Sequence, residues 1–159
     1  MRTVPDEEHK RLPHLLPFTR QPLVFLTAVT HERHPILACD EAHEILREIW
    51  SRAPALDGWA VGRYVLMPDH VHLFARAAIE AKPLARWIQS WKSLSSRRLA
   101  AKLRVTPPLW QKDYFDRFLR SAESYSEKWD YVVANPVRKG LVREPKEWPW
   151  QGVMEDLSF

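Results

Sequence analysis

The chain has 159 residues, 45% hydrophobic and 28% charged, a globular balance that fits one compact domain and excludes a fibrous or wholly disordered protein. A formal charge of +4 is a mild attraction to polyanions and no more than that. The single cysteine, Cys39, allows no internal disulfide and no Cys-rich metal framework, so a reducing, cytoplasmic setting is expected.

Residues 1–20 mix His, Pro, Arg and Glu without a period and are expected to form a partly disordered surface arm ahead of one domain over 21–159. Met1 to Lys10 is charged rather than apolar, and no stretch approaches the roughly 18 apolar residues of a membrane span; neither a signal peptide nor a membrane partner is expected. Thirteen prolines against four glycines favour stiff joints over flexible linkers.

Leu23 to Thr30 is β-branched and aromatic, which predicts a buried strand. Asp40 is the expected N-cap of a helix whose Ala42, Ile45, Leu46 and Ile49 recur three or four apart. Trp59 to Met67 predicts a second strand, broken by Pro68-Asp69, and His70 to Ala75 a third that pairs with it antiparallel. From Lys82 to about Leu103, Leu84, Trp87, Ile88, Trp91, Leu94 and Leu99 follow a helical period among many basic residues. Trp110 to Leu119 suits a strand, and Ser121 an N-cap for a helix reaching about Asn135, ended by Pro136 and Gly140. Strands separated by helices imply an α+β fold, with helices packed on a small, mainly antiparallel sheet.

Residues two apart in a strand share a face, so His70 and His72 present two imidazoles side by side while Val71 points to the opposite layer. That is half of a divalent-metal site, or two ordinary histidines in a hairpin. A further ligand has to come from elsewhere. Tyr131 and Asn135, four apart, are expected on one helix face together with Lys128. A phenol, an amide oxygen and an ammonium so grouped suit phosphodiester chemistry; a packed tyrosine and a helix-ending Asn before Pro136 explain the same residues more plainly.

Taken together, Met67-Pro-Asp-His-Val-His-Leu, Trp110-Gln-Lys-Asp-Tyr-Phe-Asp116-Arg117 and Tyr131-Val-Val-Ala-Asn135-Pro-Val-Arg-Lys-Gly140 resemble the REP-associated tyrosine transposases. These belong to the IS200-like superfamily of single-tyrosine enzymes with His-hydrophobe-His motifs, and the resemblance runs from about Leu23 to Gln151. It implies a ferredoxin-like (RRM-like) fold, with His70 and His72 as metal ligands, Asn135 at the third ligand position and Tyr131 as nucleophile. In related insertion-sequence enzymes the third position is often Gln, one methylene longer than Asn135. Tyr64, Tyr114 and Tyr125 are the competing phenols, with Tyr114 the reserve nucleophile.

The resemblance implies that Mg²⁺ or Mn²⁺ polarises a scissile phosphate while Tyr131 attacks it, leaving a 5′-phosphotyrosyl link and a free 3′-hydroxyl. It implies hairpin-forming single-stranded DNA as partner, a nucleoid-associated location, and either a monomer or a homodimer. Lys128, Arg97, Arg98, Lys102 and Arg117 are the candidate DNA contacts, while Trp87 and Trp91 are expected in the core. A DNA-binding protein that kept the fold and lost the reaction, and a phosphodiesterase in which water attacks, are the alternatives.

Overall fold

The protein is described here as a computed structural model covering residues 21–158; the arm expected over 1–20 lies outside the described residues. The chain order is β1 (Leu23–Val29), α1 (Asp40–Asp57), β2 (Trp59–Met67), β3 (His70–Ala77), α2 (Leu84–Leu103), β4 (Phe115–Phe118), α3 (Ala122–Val133), α4 (Asn135–Arg138) and β5 (Gln151–Val153). The strands form one sheet in the order β4-β1-β3-β2-β5, with every pair antiparallel. The first four strands with α1 and α2 form the β-α-β-β-α-β unit of ferredoxin-like α+β folds.

Alternation along the strands divides the core in two. Leu26, Ala28, Val61, Tyr64, Leu66, Val71, Leu73 and Ala75 face one layer, where Leu46 and Trp50 of α1 meet Trp87, Ile88, Trp91 and Leu99 of α2. Trp87 and Trp91 are core residues, as expected. Leu23, Phe25, Val65, Met67 and Phe74 face the other layer, covered by Val132 of α3, Trp148 and Leu157, with Tyr125 and Trp129 packed beside them. A bulge between Val61 and Tyr64 returns Tyr64 to the first layer and turns Arg63 onto Trp129, 5.1 Å from the ring centroid.

The helix ends follow from local chemistry. Cys39, not Asp40, caps α1: its Sγ accepts from Ala42 N at 3.5 Å, and Asp40 is the first helical residue. Asp40 Oδ1 instead accepts from Trp150 Nε1 at 3.1 Å. Gly58 ends α1 at φ +76°, where a Cβ would meet Ala81 Cα at 2.8 Å, so both conformation and space require glycine. Ser121 caps α3 in a reciprocal box with Ser124.

Two expected elements are shorter than their patterns. Of Trp110 to Leu119 only Phe115–Phe118 is a strand, and Trp110 makes an isolated bridge to Thr30. The reason lies in α2: buried Lys92 donates to the carbonyls of Gln111 and Asp113, both at 2.9 Å, and draws this segment out of the sheet. The last helix breaks after Val133, because Pro136 has no N–H to offer the carbonyl of Val132. Pro136 then starts the separate turn α4 rather than ending α3.

Leu73 is fully buried on the central strand. Leu73→Ala is expected to lower unfolding stability by about 3 kcal/mol with an unchanged m-value in chemical denaturation.

Candidate active site

His70 and His72 lie on β3 with ring centroids 4.7 Å apart and planes crossing at 77°. The face they share is fixed by β1: Thr27 pairs with His72 across the strands, and its Oγ1 lies 2.8 Å from His72 Nδ1. Phe25, one step along on the same face, stacks on the His72 ring at 5.4 Å. His70 Nδ1 is held at 2.7 Å by Asp69 Oδ1. Each imidazole therefore has its Nδ1 engaged by a neighbour, which leaves Nε2 as the nitrogen available to a metal, as in histidines oriented by their neighbours for metal binding.

Asp69 is itself anchored. Its carbonyl accepts from Thr30 N at 2.9 Å, and its Oδ2 accepts from Arg33 at 3.2 Å. Burial raises the Asp69 carboxyl, but the hydrogen bonds and charges of His70 and Arg33 outweigh this and hold it below its ordinary value. An ionised carboxylate only accepts, so His70 keeps its proton on Nδ1 and a lone pair on Nε2. Burial, reinforced by His70 whenever that ring is protonated and by the positive charges of Lys128 and Arg138, lowers His72 to about 3 and keeps its imidazole neutral.

Among the described residues no three His, Cys, Asp or Glu side chains group together as a metal site. The donor that reaches the pair is Asn135, 8% exposed, with Nδ2 at 3.4 Å from His70 Nε2. Tyr131 is 63% exposed. The two do not share a continuous helix face, because α3 stops between them. They are joined instead by Arg138, whose guanidinium carbon lies 3.8 Å from the centroid of the Tyr131 ring and whose Nη2 donates to Asn135 Oδ1 at 3.3 Å. Two imidazole nitrogens and one amide oxygen fit a divalent cation that completes its shell with water or phosphate oxygens.

The other phenols point elsewhere. Tyr64 is buried against α1, where its hydroxyl meets His43 Nε2 at 2.6 Å, and Tyr114 packs beside Lys92 under α2. Tyr125 packs edge-on against Phe74. Lys128 reaches the histidine face, with Nζ 5.1 Å from the Phe25 ring centroid.

A cleft of about 920 Å³ opens beside Tyr131, lined by Arg117, Phe118, Arg120, Ser124 and Lys128 among others. Arg97, Arg98 and Lys102 are not brought to it: α2 covers the opposite layer, and Arg98 is paired with Glu48 at 2.7 Å. Sequence reasoning passed over two residues. Arg138 stood inside a recognised motif but its ring contact depends on the break before α4. Phe115, 56% exposed, pairs with Thr27, which pairs with His72, so its side chain lies on the histidine face two strands away. An aromatic residue directly before Asp116-Arg117, inside a recognised motif, was the available signal.

Fold and site together define a ferredoxin-like α+β protein with a paired-histidine centre and an exposed tyrosine close by. Within that class the chain belongs to the IS200-like transposases, whose family model (Transposase IS200 like) matches residues 23–132, more than two-thirds of it. It is similar to a candidate REP-associated tyrosine transposase of Haemophilus influenzae, at 24% identity over 89% of this chain and 85% of that one. It is also similar to the REP-associated tyrosine transposase of Escherichia coli, at 23% identity over 73% of this chain and 64% of that one. Among solved structures, a REP-associated tyrosine transposase bound to a REP hairpin shares the fold with a TM-score of 0.65, at 18% identity over 84% of this chain and 78% of that one. A crystal structure of a transposase candidate from Deinococcus radiodurans R1 does so at 0.55, with 22% identity over 72% and 91%. No helix among the described residues is long and apolar enough to cross a membrane.

The depressed His72 has a consequence for stability. Above about pH 6.5 the ring is neutral folded or unfolded; between there and about 3 only the unfolded chain takes the proton, so stability falls with falling pH. In metal-free protein this slope approaches about 1.4 kcal/mol per pH unit for this group, and His72→Gln is expected to flatten it in acid titrations followed by denaturation.

Proposed function

We propose that the protein is a metal-dependent single-strand DNA nickase and strand transferase that cuts at hairpin-associated sites through a 5′-phosphotyrosine on Tyr131. The observation that carries this reading is the chain of contacts Tyr131–Arg138–Asn135–His70, which gathers an exposed phenol, a guanidinium, an amide and two Nε2 atoms at one end of one sheet face. Family membership supplies the reaction class, transposition. The similar structure bound to a REP hairpin makes hairpin DNA the first substrate to test.

The Tyr131 hydroxyl attacks the scissile phosphorus; a bond forms from its oxygen to phosphorus, the bond to the 3′-oxygen breaks, and the phenolic proton passes to solvent. The released 3′-oxygen takes up a proton, leaving the 5′-phosphate on the protein. Arg138, against the Tyr131 ring, and Lys128, on the histidine face, bring positive charge to where the phosphate's negative charge grows. A divalent ion, Mg²⁺ or Mn²⁺, held by His70, His72 and Asn135, supplies Lewis-acid polarisation of the phosphate when bound. A second 3′-hydroxyl then attacks the same phosphorus and expels the tyrosine, so strands are resealed or exchanged without ATP.

Arg117, Arg120 and Lys128 give the cleft a basic wall for the backbone of the single strand. Phe115 lies roughly 10 Å from His72, at about 4.8 Å per strand, close enough to stack a base flanking the cut.

With Mn²⁺ and a hairpin-bearing oligonucleotide, wild-type protein is expected to form a covalent adduct that Tyr131→Phe abolishes, read by denaturing electrophoresis and mass spectrometry. Persistence of the adduct in that variant overturns the nucleophile, and turnover without any adduct favours attack by water. Asp69→Asn is expected to lower activity about 10- to 100-fold by releasing His70. Phe115→Ala is expected to weaken binding of single-stranded DNA about tenfold in anisotropy titrations, with Arg97→Ala, on the opposite layer, near wild type.

A further inference from the structure

Among the described contacts Asn135 is the side chain brought to an Nε2 of the histidine pair, and its orientation is set by the chemistry of its neighbours. A guanidinium has donors and no acceptor, so the group facing Arg138 Nη2 at 3.3 Å is the amide oxygen. The amide nitrogen consequently faces His70, 3.4 Å from Nε2, which accepts because Nδ1 carries the proton toward Asp69. Each link in the run Arg138 to Asn135 to His70 to Asp69 joins a donor to an acceptor, and Arg33 closes it from the far side of Asp69.

This arrangement is satisfied, and it is the wrong one for ligation. Hard divalent cations take the oxygen of an amide, not its nitrogen. To bring Oδ1 toward His70, the amide has to turn over, which sets the Nδ2 donors against the donors of Arg138. Arg138 follows Asn135 by three residues in the turn of α4, so its backbone is fixed near the amide by the hydrogen bond from Arg138 N to Ala134 O at 3.0 Å. Its side chain is exposed and free to swing away.

We infer that Arg138 is a positioning residue that opposes metal entry: it holds the Asn135 oxygen away from the histidine pair, and a cation gains its third ligand only by turning that amide and displacing the guanidinium. The inference rests on the reading of His70, His72 and Asn135 as ligands. Because the same guanidinium lies on the Tyr131 ring, ligand and nucleophile share one partner, and loading the metal leaves Arg138 beside Tyr131 with its donors unspent. An incoming phosphate oxygen is the acceptor that fits them.

The test is Mn²⁺ binding to the full chain by titration calorimetry, with no DNA present. Arg138→Met is expected to tighten binding about tenfold, the scale of one net hydrogen bond to a charged group. Removing a nearby positive charge also tightens cation binding, so the effect is measured again with Asn135→Ala, where no amide remains to be held. There the gain from Arg138→Met is expected to shrink to within about twofold. Asn135→Asp serves the same purpose if the alanine variant does not fold, since a carboxylate presents an oxygen in both directions. An unchanged affinity in Arg138→Met, or an equal gain in both backgrounds, overturns the inference. If Asn135→Ala folds and binds Mn²⁺ like wild type, the ligand assignment itself falls; weaker binding in Asn135→Ala with a neutral Arg138→Met overturns the inference alone.

Discussion

The contact between Thr27 and His72 is the constraint on which the site depends. It is short, it joins the two central strands, and it stands in a register where Phe25 meets Phe74 and Ala28 meets Val71. A slip of one residue would turn the imidazoles into the α1–α2 layer and Val71 and Leu73 out of it. The apolar demand of that layer therefore turns the histidines to the opposite face, where the contacts of Thr27 and Asp69 fix their rings. The same register carries Phe115 onto the histidine face through its pairing with Thr27.

Around this frame positive charge predominates. His72 is neutral by burial, and Asp69, the carboxylate bound to His70, is committed to that ring and to Arg33. Arg138 and Lys128 stand near the pair, and Arg117 and Arg120 continue the positive rim along the cleft. Desolvation and cations act together here: neutral imidazoles keep lone pairs, and guanidinium and ammonium groups keep donors without a full set of acceptors. Such a surface is suited to a cation beneath a phosphate, each supplying the charge the other lacks.

The break between α3 and α4 is a local event with a large effect on the site. Without Pro136 the helix could run on, and Tyr131 and Asn135 would lie one above the other on a single face. With it, Asn135 sinks against His70, Tyr131 stays in solvent, and Arg138 spans the gap. Loss of one backbone N–H thus separates Asn135 from Tyr131 while keeping both within reach of one guanidinium.

The first three strands, the two long helices, the hairpin at Pro68-Asp69 and the pairing of the imidazoles were legible in the sequence, because periods of two and of three to four residues are written in local order; the short edge strand β5 carried no such period and was not. The sequence also marked Tyr131 and Asn135 through a motif. Their separation onto different helices and the cap at Cys39 in place of Asp40 turned on local detail, a proline that interrupts a ladder and a thiol better placed than a carboxylate, whereas the shortening of the strand before Phe118 was decided by tertiary contacts from Lys92 to two carbonyls. The basic residues of α2 look alike in sequence to those near the cleft, and only the choice of layer tells them apart. Composition records which charges exist, whereas the sheet's two faces decide which of them meet, since sides of a sheet are defined by pairing between distant strands.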